Sequence, residues 1–209
     1  MPTGRFIALD GPDGTGKSTQ CRLLVDRLQA AGVAVTAAVD PGGTPVGAKL
    51  RELLLFGREH ALSPRGEALL FMASRAELVH RVIRPALDRG EVVVSDRYLL
   101  STVVYQGHAG GLDPGELWQL GTFAAGGVVP DRTVVLDLAP DLAAARRKAD
   151  ADRFESRGPA YLAHVRAGFL AEAAARPDLV RVVDSAASPD RVHAAVWEAV
   201  ADLLPGDGG

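Results

Sequence analysis

Gly11-Pro12-Asp13-Gly14-Thr15-Gly16-Lys17-Ser18 matches the spacing G-x-x-x-x-G-K-[ST] at every fixed position. Before it, Phe6, Ile7, Ala8 and Leu9 read as a short buried strand. After it, Cys21, Leu24, Val25 and Leu28 recur at helical spacing. A strand, a glycine loop and a helix N-terminus in succession aim several backbone N–H groups at one point, where the helix dipole also favours an anion. The glycines admit backbone angles and close approaches that a Cβ would block. In such a loop Lys17 reaches the β- and γ-phosphates of a nucleotide and the Ser18 hydroxyl ligates Mg²⁺, with Gly11, Asp13, Gly14, Thr15, Gly16 and Thr19 around the phosphate chain. The motif predicts nucleotide phosphate binding and leaves the reaction open.

The chain of 209 residues has room for a sizeable core, and an apolar fraction of 47% fits a globular protein. A net charge of -3 gives no electrostatic case for nucleic acid or an anionic membrane. Cys21, the only cysteine, excludes an internal disulfide and fits a reducing compartment; it lies on the apolar stripe after the loop, where packing is its expected part. Met1 to Arg5 show no charged-then-apolar signal pattern, and no apolar run approaches the ~18 residues of a membrane span. A cytoplasmic protein is expected.

Five strand-like runs recur with helices between them, at 6–9, 33–39, 92–95, 133–138 and 179–183. Short β-branched runs separated by helices predict a five-stranded parallel sheet covered on both faces, with ligands at the carboxyl ends of its strands. The second run leads into Asp40-Pro41-Gly42-Gly43-Thr44, a sharp loop before a helix through Leu50, Leu53 and Leu54. Ser63 and Pro64, with Glu67 in the first turn, open a long helix whose core stripe reads Leu69, Met72, Ala76, Val79 and Ile83, ending at Gly90. Phe71 and Arg75, four apart on its flank, make either a stacking surface beside a donor fork or a partly buried Phe and a surface Arg.

The third strand ends in Ser95-Asp96-Arg97-Tyr98, where a Mg²⁺-directed carboxylate sits beside a cation able to grip phosphate. Ser101, Thr102, Tyr105 and Gln106 follow on a short helix, with Ser101 and Tyr105 on one face. They suit a sugar or base pocket, or else a capping pair and a half-buried Tyr. Asp113-Pro114 begins a helix through Leu117, Leu120 and Phe123, and Asp137 ends the fourth strand. The run Arg146-Arg147-Lys148-Ala149-Asp150-Ala151-Asp152-Arg153 is either a solvated helix end or a lid whose cations close over phosphates.

In this order, Gly11 to Thr19, the Asp40-Pro41-Gly42-Gly43-Thr44 loop, Phe71 with Arg75, Asp96-Arg97-Tyr98, Ser101 to Gln106, Asp137 and Asp152 to Glu155 resemble the thymidylate kinase family along almost the whole chain. Asp96-Arg97-Tyr98 followed by Ser101, Tyr105 and Gln106 is the most discriminating part. The resemblance implies an α/β P-loop NTPase fold as one domain over 1–204, with a short lid at about 146–157; the tail at 205–209 is expected to be disordered. It implies phosphorylation of dTMP to dTDP with Mg²⁺ and ATP, and a homodimer through long helices such as 66–89. Asp13 would bond the deoxyribose 3′-hydroxyl, Phe71 stack on thymine, Arg75 bond its O4 and Arg97 bridge the two phosphates. Ser101, Thr102 and Gln106 would complete the substrate pocket, and Tyr105 would crowd the 2′ position. Lys17, Arg97, Asp10 and Arg153 would be catalytic, and Ser18, Asp96 and Asp10 would organise the metal. Arg146 and Lys148 would serve ATP, whose adenine the 184–188 loop borders.

Two features depart from the family pattern. Val39-Asp40 stands where Arg-Glu is usual, and position 14 is Gly where some members carry arginine. Two rivals remain: a kinase of this fold for another acceptor, and a nucleotide-binding regulatory protein without turnover. The Phe71/Arg75 and Tyr105/Gln106 pairs argue against the first, and the lack of an Asn-Lys-x-Asp motif argues against a guanine switch.

Overall fold

The computed structural model describes residues 4–57, 60–146, 153–154 and 157–204. Lys148, most of the expected lid and the tail 205–209 therefore lie outside the described residues. The chain runs β1 (Arg5–Asp10), α1 (Lys17–Ala30), β2 (Val35–Val39), α2 (Pro45–Leu55), α3 (Pro64–Leu78), α4 (Arg84–Asp88), β3 (Val92–Asp96) and α5 (Leu99–Thr102). It continues through α6 (Pro114–Ala124), β4 (Arg132–Asp137), α7 (Pro140–Arg146), α8 (Pro159–Ala175), β5 (Val180–Asp184) and α9 (Pro189–Glu198). Every strand pairing is parallel, in the order β2-β3-β1-β4-β5.

Alternation along β1 assembles the core. Phe6 and Ala8 face one side with Met72, Val79, Ile83 and Leu99, while Ile7 and Leu9 face the other with Leu24, Leu28, Val192 and Val196. Strands buried on both faces need continuous apolar sequence, and Val92, Val93 and Val94 supply it. Ser63 caps its helix as the sequence suggests, its Oγ accepting from Gly66 N; Asp113 Oδ1 accepts from Glu116 N where a helix was expected to begin, and Thr44 Oγ1 accepts from Gly47 N. Among the described residues, no helix is long and apolar enough to cross a membrane.

The long helix departs from expectation in two respects. A π turn at Val79–Ile83 separates α3 from α4. Its buried face runs through Ala68, Met72, Arg75 and Leu78, so Leu69, expected in the core, is 54% exposed, and Ala76 is only half-buried. A second π turn, Val103–His108, continues α5 and carries Tyr105 and Gln106.

Candidate active site

Parallel pairing brings the carboxyl ends of β1, β2 and β3 level, with Leu9 beside Asp96 and Asp96 beside Val39. The loop after β1 bends at Gly11, Gly14 and Gly16, all at positive φ. A Cβ at Gly11 would meet the Leu136 carbonyl at 2.4 Å, and one at Gly14 the Ala143 carbonyl at 2.5 Å, so only glycine permits this close approach. Gly16 caps α1, which leaves its first N–H groups directed at the loop. Lys17 is buried, donating to Pro12 O at 2.7 Å; burial and then the neighbouring Arg97 push its pKa down. Ser18 Oγ donates to Asp96 Oδ2 at 2.5 Å. A hydroxyl and a carboxylate side by side at a phosphate loop are hard oxygen donors that fit Mg²⁺.

Two cavities meet in front of this loop. One is lined by residues 13–20, Asp96, Arg146 and the 185–189 loop. The other is lined by Phe71, Arg75, Ser101, Thr102, Tyr105, Gln106 and Phe154. Asp13, Asp40, Arg51, Leu55 and Arg97 belong to both. Arg97, at a φ of 67° that favours glycine, is pinned by the Gly11 carbonyl at 3.0 Å, Ser101 Oγ at 2.8 Å and the Asp13 carboxylate. Tyr105 Oη donates to Asp13 Oδ2 at 2.7 Å. Phe154 covers the second cavity, with its ring 5.8 Å from those of both Phe71 and Tyr105.

Arg75 is only 1% exposed, which rules out the surface reading. Its Nε donates to Asp40 Oδ2 at 2.6 Å, Nη2 to Tyr98 O and Thr102 Oγ1, and Nη1 to the Met72 sulfur. A guanidinium carries five N–H bonds, so these contacts leave one N–H on Nη1 unused, on a residue that lines the second cavity.

Other expected residues lie elsewhere. Asp10 is fully buried and lines neither cavity. Its oxygens accept from Gly11 N, Ser101 N and Ser101 Oγ, and burial pushes its carboxyl up. It braces the loop and the start of α5 from beneath. Arg153 donates to the carbonyls of Leu53, Gly57 and His60 at and just beyond the end of α2, and its backbone N–H to Leu55 O, a residue in the wall of both cavities. Asp137 takes a bidentate pair from Arg166 at 2.7 Å, a packing role. Arg146 lines the first cavity and reaches the Ser185 and Ala186 carbonyls at 2.8 and 3.1 Å.

The sequence reading missed Arg51 and Glu67. Arg51 lines both cavities and donates to Pro41 O at 2.8 Å, bringing a cation to the region where Val39 lacks the family's arginine. Its position two turns beyond the Thr44 cap, on the same helix face, was the available signal. Glu67 reads as a first-turn acid complementing the helix dipole, yet it is 2% exposed and paired to Gln106 and Arg157.

The cluster has a pH signature. Burial pushes the Asp13 carboxyl up, but Arg97 and then Lys17 more than offset it and hold it at about 2, against an ordinary 3.8. A carboxylate depressed in the folded state stabilises the fold above the unfolded value near 3.8 and loses that contribution as pH falls through about 2. The contribution is about 2 kcal/mol. Urea midpoints should place wild type above Asp13→Asn at about pH 6, with the gap closing towards about pH 2. A gap unchanged across that window would mean the carboxylate is not held by these cations.

The thymidylate kinase family model matches residues 9–196. A thymidylate kinase from Symbiobacterium thermophilum is 46% identical over 201 residues, covering 96% of this chain and 94% of that one. Another from Deinococcus radiodurans is 45% identical over 204 residues, covering 97% and 98%. Among solved structures, the crystal structure of thymidylate kinase from Ehrlichia chaffeensis aligns with a TM-score of 0.79 at 29% identity, covering 95% of this chain and 100% of that one. A phosphate loop facing a second, aromatic and arginine-lined cavity thus accompanies similarity along nearly the whole length, and the chain belongs to the thymidylate kinase family.

Proposed function

We propose that the protein transfers the γ-phosphoryl group of ATP to the 5′-phosphate of dTMP, giving dTDP and ADP. The observation that carries this reading is the shared wall of the two cavities. Arg97 and Arg51 stand between a phosphate loop and a base-sized pocket, where two phosphate chains would meet end to end. An oxygen of the dTMP phosphate attacks the γ-phosphorus as the bond to the β,γ-bridging oxygen breaks, with the electron pair leaving on ADP. The attacking oxygen is already anionic, so no strong base or covalent intermediate is needed, and catalysis reduces to positioning and charge neutralisation. Loop amides and Lys17 hold the donor, and Arg97 and Arg51 hold the acceptor phosphate. Ser18 and Asp96 would hold Mg²⁺, which would supply charge neutralisation to the phosphate chain when bound. Arg153 as placed caps α2; a catalytic part for it, or for Lys148, would add lid cations to this set.

On the acceptor side, Phe71 offers the stacking face, Arg75 a donor for O4, Asp13 an acceptor for the 3′-hydroxyl, and Tyr105 bulk against a 2′-hydroxyl. A coupled ADP-release assay across dTMP, dUMP, UMP, CMP and AMP tests the reading. The highest kcat/KM should belong to dTMP, and equal rates for all five would overturn it. Phe71→Ala should raise the KM for dTMP about tenfold through lost stacking, with the KM for ATP nearly unchanged. Equal changes in both would remove Phe71 from the acceptor pocket.

The chain pairs as a homodimer in this reading. Leu69 on α3 and Phe123 on α6, 54% and 84% exposed, are large apolar side chains left to cover. A monomer mass by sedimentation at micromolar concentration would remove that part. The lone Cys21 fits a reducing cytoplasm.

A further inference from the structure

Gln106 Nε2 donates to Glu67 Oε1 at 2.9 Å, deep behind the second cavity. A carboxylate only accepts hydrogen bonds, so the amide nitrogen must face Glu67 and the amide carbonyl must face away. That carbonyl oxygen, Gln106 Oε1, is buried with no partner among the described residues, and Gln106 lines the cavity. Arg75, in the lining of the same cavity, has one N–H to spare. Gln106 and Arg75 both line this cavity, so a base seated there would meet an acceptor and a donor, the complement of the O4 and N3–H edge of a 4-keto pyrimidine. Cytosine offers the reverse pattern, an amino group and an N3 acceptor; a flipped amide would donate to that N3 and remove one of the two mismatches, while Arg75 would still oppose the amino group.

Glu67 cannot easily turn away. Its Oε2 takes Arg157 Nη2 at 2.7 Å, and that guanidinium lies over the rings of Phe154 and Tyr161, 4.8 and 5.0 Å from their centroids. We infer that Glu67, clamped by Arg157, is the positioning residue that locks the Gln106 amide with its carbonyl towards the base, and so sets the preference for thymine over cytosine. This rests on the dTMP reading above and deepens it.

Displacement calorimetry with dTMP and dCMP tests the inference on wild type, Glu67→Gln, Gln106→Ala, the double variant and Arg157→Gln. An amide at position 67 can accept or donate, so it no longer dictates the orientation of Gln106. The ratio of dCMP to dTMP dissociation constants should fall about tenfold in Glu67→Gln, with kcat at saturating dTMP within about twofold of wild type. Gln106→Ala should show the same loss, and the double variant no further loss, because Glu67 acts through Gln106. Arg157 is partly exposed, and Arg157→Gln should lower the ratio about threefold even if Glu67→Gln fails to fold. An unchanged ratio in Arg157→Gln, or losses that multiply in the double variant, would overturn the inference and leave Glu67 as packing. Wild type with no preference for either base would instead sink the dTMP reading itself.

Discussion

Lys17→Ala should lower kcat by about a thousandfold or more while the fold stays intact. Lys17 is the buried cation of the phosphate loop, and its Nζ lies 2.7 Å from Pro12 O and 3.8 Å from Asp13. Burial and Arg97 both push its pKa down, so the ammonium is held in place against desolvation and a like charge. Removing it relieves that repulsion, and the loop keeps its path because glycines at positive φ and the start of α1 define it. The lost interaction is with phosphate oxygens whose charge shifts during transfer, so the effect should fall on kcat more than on either KM. Turnover within about tenfold of wild type, with an unchanged urea midpoint, would remove Lys17 from the mechanism.

Arg75→Ala should be the most destabilising single change, at about 3–5 kcal/mol. Arg75 and Asp40 bury a charge pair at 1% and 0% side-chain exposure, 2.6 Å apart. Burial pushes the Asp40 carboxyl up even with Arg75 beside it, and Asp40 Oδ1 is buried with no partner among the described residues. Truncating Arg75 leaves that carboxylate with no compensating charge at contact. It also frees the Tyr98 carbonyl and Thr102 of their donor. Replacing both members with apolar residues, as in Asp40→Ala with Arg75→Met, should recover most of the stability without restoring dTMP binding. A loss below about 1 kcal/mol for Arg75→Ala in urea unfolding would show that the pair is more hydrated than its burial indicates.

Much of the architecture was legible because it is written in local chemistry. The five β-branched runs became the five strands, each boundary within two residues of the expected one, since strands buried on both faces need continuous apolar sequence. Thr44, Ser63 and Asp113 cap the helices they precede, because a side-chain oxygen there reaches an N–H only three residues on. The phosphate loop is likewise contiguous, with no distant part to assemble. Along α3 the same reasoning reached its limit. Leu69 was expected inside and is exposed, while Glu67 and Arg75 are buried in its place.

The sequence by itself determined the strands, the helix starts at Ser63 and Asp113 and the glycine loop after β1, because each depends on residues a few positions apart. Tertiary structure alone decided which polar groups are buried in and around the second cavity. Arg75 is buried because Asp40, 35 positions earlier, meets it there, and Glu67 because Gln106 and Arg157, 39 and 90 positions later, do the same. A polar side chain leaves water only where a partner replaces it, and apolar periodicity carries no record of partners that far along the chain.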